Sequence, residues 1–278
     1  MEIKFSHVNL ILDKGTPLEK TILNDVSFEI KEEGIYSFIG SSNSGKTAIG
    51  DLIQFLISPT DGFVKVNKYI NNCGNQKNIN NLRTDIGYVF KNPYDMFLCK
   101  TVREEIDFSL NNCKRKKGLI SASDALKLVE LDDSYLDLNP QILTLSDAKK
   151  VALACVLSMN PSILILDEYT CGIDNNDKKN LERLIRMLKN KYKKTIILLT
   201  KDTNYAYQVS DKVFIMCLTN LVSSGDKTLL QNEELIKNCN LEVPKIVSFI
   251  NECNKNGHDI YHYTNILDLI KGVYRDVF

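Results

Sequence analysis

The segment Gly40-Ser-Ser-Asn-Ser-Gly-Lys-Thr47 follows the apolar run Ile35-Tyr-Ser-Phe-Ile39 and opens a stretch of helical periodicity. No other feature of the 278 residues restricts the fold as strongly. The pattern G-x-x-x-x-G-K-[ST] between a strand and a helix is a phosphate cradle, in which successive backbone N–H groups and the positive end of the helix surround anionic oxygens. Gly40, Ser41, Ser42, Asn43, Ser44, Gly45, Lys46, Thr47 and Ala48 are the candidate contact residues. Lys46 is placed to reach the β- and γ-phosphates of a nucleoside triphosphate such as ATP, and the Thr47 hydroxyl to ligate Mg²⁺. Asn43 is a residue type that tolerates the left-handed backbone such a loop requires.

A second feature supports the first. Ile163-Leu-Ile-Leu-Asp167-Glu168 sets two carboxylates at the end of a short buried strand. Beside a triphosphate, Asp167 assists Mg²⁺ and Glu168 polarises an attacking water. Around these two motifs, strand-like and helical periods alternate, which predicts an α/β fold with a parallel core sheet. Strands are expected at residues 3 to 12, 26 to 30, 35 to 39, 86 to 90, 163 to 166, 195 to 200 and 213 to 217. Helices are expected at 122 to 131, 149 to 159, 181 to 188, 233 to 237, 245 to 254 and 265 to 273. The Asn-rich stretch 71 to 81 reads as a surface loop, and Gly225 as the point where the core closes. The predicted organisation is a nucleotide-binding domain over residues 1 to 225, with a helical insertion at about 95 to 160, and a small helical region over 226 to 278.

Composition removes several function classes. Lys+Arg and Asp+Glu are both 35, so there is no global basic field of the kind that sequence-independent nucleic-acid binding needs, and no nucleic-acid partner is expected. No run approaches the roughly 18 apolar residues of a membrane span, and the N-terminal residues read as a first strand rather than a secretory signal. The eight cysteines show no C-x-x-C pair, which fits a reducing compartment better than a disulfide framework. His7, His258 and His262 stand apart from any acidic or Cys cluster and read as structural or surface residues. The run Lys114-Arg-Lys-Lys117 reads as a solvated turn, and Tyr261-His-Tyr263 either as part of a dimer contact or as packing for the last helix.

With these motifs in place, nearly the whole chain resembles the nucleotide-binding subunits of ABC transporters, and more narrowly those of energy-coupling-factor (ECF) importers. Gly87-Tyr-Val-Phe-Lys-Asn-Pro93, followed by Thr101-Val-Arg-Glu-Glu-Ile-Asp-Phe108, resembles the Q-loop segment; Asp174 matches the D-loop aspartate; Leu241-Glu-Val-Pro-Lys-Ile-Val247 is similar to the C-terminal region of the ECF subgroup. The resemblance implies the ABC-type P-loop NTPase fold, with N-terminal antiparallel strands beside the core sheet. It also implies ATP and Mg²⁺ as ligands, a second ABC ATPase subunit as partner, and a location at the cytoplasmic face of the cell membrane. A polytopic membrane subunit would dock near residues 91 to 108, with Tyr94, Met96 and Phe97 lining the groove.

Departures from the family pattern fall where the family does chemistry. Lys91 stands at the Q-loop glutamine, and Lys201 at the switch histidine, where an ammonium could bind phosphate or pair with Glu168. The LSGGQ signature aligns without gaps to Leu143-Thr-Leu-Ser-Asp147, keeping a hydroxyl as Thr144 but placing Leu145 at the first glycine and Ser146 at the second. An alternative alignment sets Leu145-Ser146 on the family's LS, at the cost of a two-residue deletion. Leu12 replaces the aromatic that stacks on adenine, an interaction worth about 1–3 kcal/mol. These changes imply ATP binding with low intrinsic turnover, in the degenerate half of a heterodimer. Three classes stay open: an ATP-driven transport subunit for a vitamin or metal ion, an ATP-binding pseudoenzyme with a regulatory or structural role in a transporter, and a non-transport ABC ATPase.

Overall fold

The computed structural model describes residues 1–73, 80–113, 118–256, 263 and 268–271. The strands are β1 (Ile3–Leu12), β2 (Lys20–Ile30), β3 (Ile35–Gly40), β4 (Asp61–Val66), β5 (Tyr69–Asn72), β6 (Ile86–Val89), β7 (Ile163–Asp167), β8 (Thr195–Thr200), β9 (Lys212–Cys217) and β10 (Asn220–Asp226). The helices are α1 (Lys46–Ile53), α2 (Asn80–Asp85), α3 (Val102–Asn112), α4 (Ala122–Leu128), α5 (Leu145–Ser158), α6 (Asn175–Asn190), α7 (Thr203–Val209), α8 (Glu233–Asn238) and α9 (Lys245–Lys255).

Two sheets divide the work. β2-β1-β4-β5 is antiparallel, with Ile3 opposite Ile30 and Phe5 opposite Phe28, and its side chains alternate inward and outward as a sheet with one covered face requires. The larger sheet has the order β10-β9-β3-β8-β7-β6, parallel except for β10. Every residue of β3, β6, β7 and β8 is buried, because elements cover both faces of a parallel sheet. On one face, Ile49, Leu52 and Ile53 of α1 share a core with Phe5 and Phe28 of the first sheet. The Phe28 ring lies 5.0 Å from Phe38 and 5.1 Å from Phe214, so one aromatic cluster fastens the sheets together. On the other face, α3, α4 and α5, which lie between β6 and β7 in the chain, pack with α6 against Leu164, Leu166 and Ile196.

Several expectations shift in detail. The helix expected from residue 149 begins at Leu145, where the Thr144 side chain accepts from the Asp147 N–H; the polar start of that helix hid its first turn. The segment around 181 to 188 extends over Asn175–Asn190, capped by Asp174. The strand expected at 26 to 30 starts at Lys20, the one at 86 to 90 stops at Val89, and the helix at 122 to 131 stops at Leu128. Residues 71 and 72 belong to β5 rather than to a loop, and 80 to 85 are helical, while 74 to 79 lie outside the described residues. The core also continues past Gly225: Leu230, Ile236, Leu241 and Val247 bury their side chains with Ile39 and Ile215, since short amphipathic helices need an apolar surface to cover. Residues 268 to 271 are helical, and the rest of the segment expected at 265 to 273, the 114 to 117 run, His258 and His262 lie mostly or wholly outside the described residues.

Asn71 shows why an Asn-rich segment need not be solvated. Its amide is fully buried, donates to Ile57 O at 2.7 Å and Leu52 O at 3.5 Å, and accepts from Ser58 Oγ at 3.0 Å. Asn71→Ala leaves these groups short of partners, and is expected to cost about 1–3 kcal/mol of stability. A urea midpoint equal to that of the wild type would contradict this account of β5.

Candidate functional site

β3 ends at Gly40, and the chain turns into α1 through two left-handed residues, Asn43 with φ 63° and Gly45 with φ 88°. Gly45 is needed for space as well as for its backbone, because a Cβ there would come within 2.6 Å of Leu23 Cδ2 and 2.8 Å of Ile22 O. The loop therefore rests on β2 of the neighbouring sheet. Ser44 and Lys46 are buried, whereas Ser42, Asn43 and Thr47 face outward. The Lys46 ammonium donates to Gly40 O and Ser41 O, both at 2.8 Å, and to Ser44 Oγ at 3.3 Å. Burial lowers its pKa, opposed by the charges of Glu168 and Asp167. Ala48 is buried on α1 and contributes packing at the base of the cradle.

Strand register brings the carboxylates to this loop. β3 pairs with β8 and β8 with β7, so that Ile39 lies opposite Thr200 and Leu199 opposite Asp167. Thr47 Oγ1 donates to Asp167 Oδ2 at 2.8 Å, and Tyr88 OH reaches the same oxygen at 3.4 Å. The other oxygen, Oδ1, is buried without a hydrogen-bond partner. Burial raises the Asp167 pKa, with the Thr47 hydrogen bond acting against it. An orphaned carboxylate oxygen beside a hydroxyl is the oxygen-donor chemistry that Mg²⁺ prefers, and Mg²⁺ commonly takes one or two carboxylates plus substrate phosphates. The residues thus fit the metal in company with a nucleotide; among the described residues no group of three or more His, Cys, Asp or Glu side chains could hold a metal ion.

Glu168 follows with φ 44°, a left-handed conformation costly for a side-chain-bearing residue. It is nearly buried, and its Oε1 lies 3.7 Å from Lys46 Nζ. Lys201 meets Glu168 through its backbone N–H, 3.4 Å from Oε2. The ammonium pairing anticipated for Lys201 is not formed among the described ion pairs; the side chain points to solvent because it leaves the end of β8 at an exposed position. Lys201 and Glu168 line one open cleft with Ser41 and Ser42. Lys91, also exposed, lines a second cleft with Thr47, Asp51, Tyr88, Leu145 and Asp167. Leu12 ends β1 with 47% of its surface exposed.

The signature positions form a separate group. Thr144 caps α5, and Thr144 Oγ1 donates to Asp147 Oδ2 at 2.8 Å. Leu145 lies over Gly172, where a Cβ would come within 2.8 Å of Leu145 Cδ2. The Ser146 hydroxyl donates to Asp177, which also pairs with Lys150 at 2.7 Å. Asp174 accepts from the Asp177 N–H at 2.8 Å. The hydrogen bonds of Thr144, Ser146 and Asp174 therefore run to the starts of α5 and α6, not to the Lys46 and Asp167 cluster.

Three residues escaped the sequence reading. Asp51 sits one helical turn after Thr47 on α1, and Tyr88 one position before the end of β6, the strand beside β7 and Asp167; helical and strand spacing could have placed both. Burial, with the nearby Asp167 charge, pushes the Asp51 carboxyl up to about 6. Burial and the two carboxylates push the Tyr88 phenol far above its usual range, which keeps it a proton donor. The third is Lys149, a charged residue that α5 carries into the interior.

A strand–loop–helix phosphate cradle beside a buried acidic turn defines a P-loop nucleotide-binding protein. Residues 23–171 match the ABC transporter family model. The chain is 34% identical over 262 residues to the energy-coupling factor transporter ATP-binding protein EcfA2 of Streptococcus thermophilus, covering 93% of each chain. It is 30% identical over 264 residues to the protein of the same name from Clostridium acetobutylicum, covering 94% of this chain and 92% of the relative. The solved structure of cbiO1 from Clostridium perfringens, described as part of the ABC transporter complex cbiONQ, superposes with a TM-score of 0.71 at 25% identity, covering 90% of this chain and 98% of the other. The chain belongs to the ABC transporter family of ATP-binding proteins, and its relatives there include ECF transporter ATP-binding proteins.

The buried acid cluster predicts a pH effect. A carboxyl whose folded pKa is raised is protonated more readily in the folded state, so stability falls as pH rises from the ordinary carboxylate range through about 6. Asp51→Asn removes that loss. The variant is expected to melt at a higher temperature than the wild type at pH 7.5, with the gain shrinking to nothing near the ordinary carboxylate pKa of about 4. A gain independent of pH would contradict the assignment.

Proposed function

We propose that this chain is the ATP-binding subunit of an ECF-type importer, and that it couples ATP binding and hydrolysis to uptake of a vitamin or metal ion. The observation that carries this reading is the convergence of Lys46, Thr47, Asp167 and Glu168 from two strand ends onto one loop. In it, the loop amides and Lys46 bind the triphosphate, Thr47 and Asp167 hold Mg²⁺, and Glu168 orients water at the terminal phosphate. Bound Mg²⁺ supplies charge neutralisation on the phosphates. Leu12 replaces the adenine-stacking aromatic, and Asp174 serves the dimer interface. Residues 1 to 225, with the helical insertion at about 95 to 160, form the ATP-binding domain, and 226 to 278 the C-terminal helical region.

The same reading makes the chain the degenerate half of a heterodimer with a second ABC ATPase subunit. Supporting it are exposed lysines at 91 and 201 in place of the glutamine and histidine the family resemblance implies. Leu145 over Gly172 and the Ser146 hydroxyl committed to Asp177 further support it, because both occupy the backbone surface that would approach the partner's nucleotide. A polytopic membrane subunit docks near residues 91 to 108; of the three side chains expected to line that groove, Phe97 is buried in the helical core and Tyr94 and Met96 are half-buried against it, so the exposed apolar side chains there are Leu98 and Phe108. Among the described residues no helix is long and apolar enough to cross a membrane; in this reading the chain attaches at the cytoplasmic face through such a partner.

Calorimetry at millimolar ATP should detect binding to the purified chain, and Lys46→Ala should abolish it. Steady-state hydrolysis by the chain alone should fall about 10²- to 10³-fold below that of an intact ABC subunit; comparable turnover would refute the degenerate assignment. Lys201→His combined with Lys91→Gln should raise hydrolysis in the assembled complex by about tenfold or more, and an unchanged rate would count against these two positions as the cause.

A further inference from the structure

Lys149 is 2% exposed and lies on α5, one turn after Leu145. Its ammonium donates to Glu168 O at 3.2 Å, to Tyr169 O at 2.9 Å and to Cys171 O, and it sits 5.7 Å from the centre of the Tyr169 ring. An ammonium has three N–H donors and no acceptor, so one turn of backbone takes all of them. That turn is where Glu168 holds its left-handed φ of 44°. Three carbonyls aimed at one buried point repel one another unless a cation gathers them. A neutral side chain of similar length would take this donor from the Tyr169 and Cys171 carbonyls and leave Glu168 O with only the Cys171 N–H.

Besides Lys149, the buried side chains of Tyr169 and Thr170 and a few backbone hydrogen bonds hold the turn. The Glu168 N–H donates to Leu199 O at 2.8 Å, and Cys171 N to Glu168 O at 3.1 Å; beyond it, Leu145 closes over Gly172. α5 therefore grips the turn at two places, through Leu145 and through Lys149. The first turn of α5 is also bound to α6 through Ser146, Lys150 and Asp177.

We propose that Lys149 is a positioning residue for Glu168, its ammonium fixing the backbone turn that aims the carboxylate and tying that turn to the start of α5. A shift of the helix that carries the signature residues is thereby transmitted to the carboxylate beside Lys46. This inference rests on the nucleotide-binding reading above, since it gives Glu168 a substrate to face.

The test uses the full chain with three measurements: hydrogen exchange at the amides of residues 168 to 172, binding of a fluorescent N-methylanthraniloyl ATP, and single-turnover ATP hydrolysis at excess protein. In Lys149→Met the 168 to 172 amides should exchange about tenfold faster or more. Hydrolysis should slow about 10- to 100-fold, while the analogue's Kd moves less than about threefold. Lys149→Arg, which keeps the cation, should recover most of both losses, and Lys149→Gln, with fewer donors, replaces the Met variant if that one does not fold. Exchange at 168 to 172 that matches the wild type overturns the proposal. So does a loss of protection spread through the whole chain, or a Kd that rises as far as the rate falls, since either marks a merely structural lysine. Failure of the wild type to bind the analogue refutes the nucleotide reading instead, and the exchange data then decide the tie between Lys149 and the turn on their own.

Discussion

The 2.8 Å hydrogen bond from Thr47 Oγ1 to Asp167 Oδ2 joins segments 120 residues apart, and the placement of the site depends on it. It forms only if β3 and β7 flank β8 in the observed register, because a slip of one residue would turn Asp167 to the opposite face of the sheet. Burial of every residue in these three strands enforces that register. The packing of α1 on one face and of α5 and α6 on the other is thus what sets the distance between a hydroxyl and a carboxylate.

Electrostatics imposes a second constraint. Lys46, Lys149, Asp167 and Glu168 are all buried in one neighbourhood, with Asp51 partly buried at its edge. Any one of these charges alone would be strongly disfavoured away from water. Together they are tolerable because Lys149 spends its donors on three backbone carbonyls and Lys46 bonds two carbonyls and the Ser44 hydroxyl beside the Glu168 carboxylate, while Asp51 and Asp167 share the Tyr88 hydroxyl. The residual strain falls on the acids: burial raises the pKa of both aspartates. A polyanionic ligand with a divalent cation would meet the lysines and the aspartates respectively, so the charges that burden the fold are those the proposed ligand complements.

What could be read in the sequence was what lies close together along the chain. The phosphate loop, the acidic turn and the alternation of strands and helices are local patterns, and the structure places them accordingly. The Thr144-x-x-Asp147 spacing is likewise a local N-cap signal, yet two lysines at 149 and 150 concealed the helix start in front of them. Asn71 and Lys149 were not legible, because each owes its role to a meeting of distant segments, whereas strand spacing could have placed Tyr88. Asn71 is polar in a polar stretch until β5 carries it beneath Ile57, and Lys149 resembles a solvated helix residue until the 168 to 171 turn closes over it.

Burial also separates the positions that keep the pattern implied by family resemblance from those that depart from it. Lys46, Asp167 and Glu168 are nearly inaccessible and bonded into the loop and the sheet. Replacing any of them would leave buried groups unpaired, so folding itself resists the change. Lys91, Lys201 and Leu12 are exposed at the ends of β6, β8 and β1, where substitutions usually alter stability by less than about 0.5 kcal/mol. Leu145 is an intermediate case, 39% exposed and seated on Gly172. The groups proposed to grip phosphate are therefore part of the framework, whereas those proposed to sense its cleavage are appended to it. A chain of this fold can exchange such exposed residues one at a time without loosening the cradle, which is what the proposed combination of low turnover and retained nucleotide binding requires.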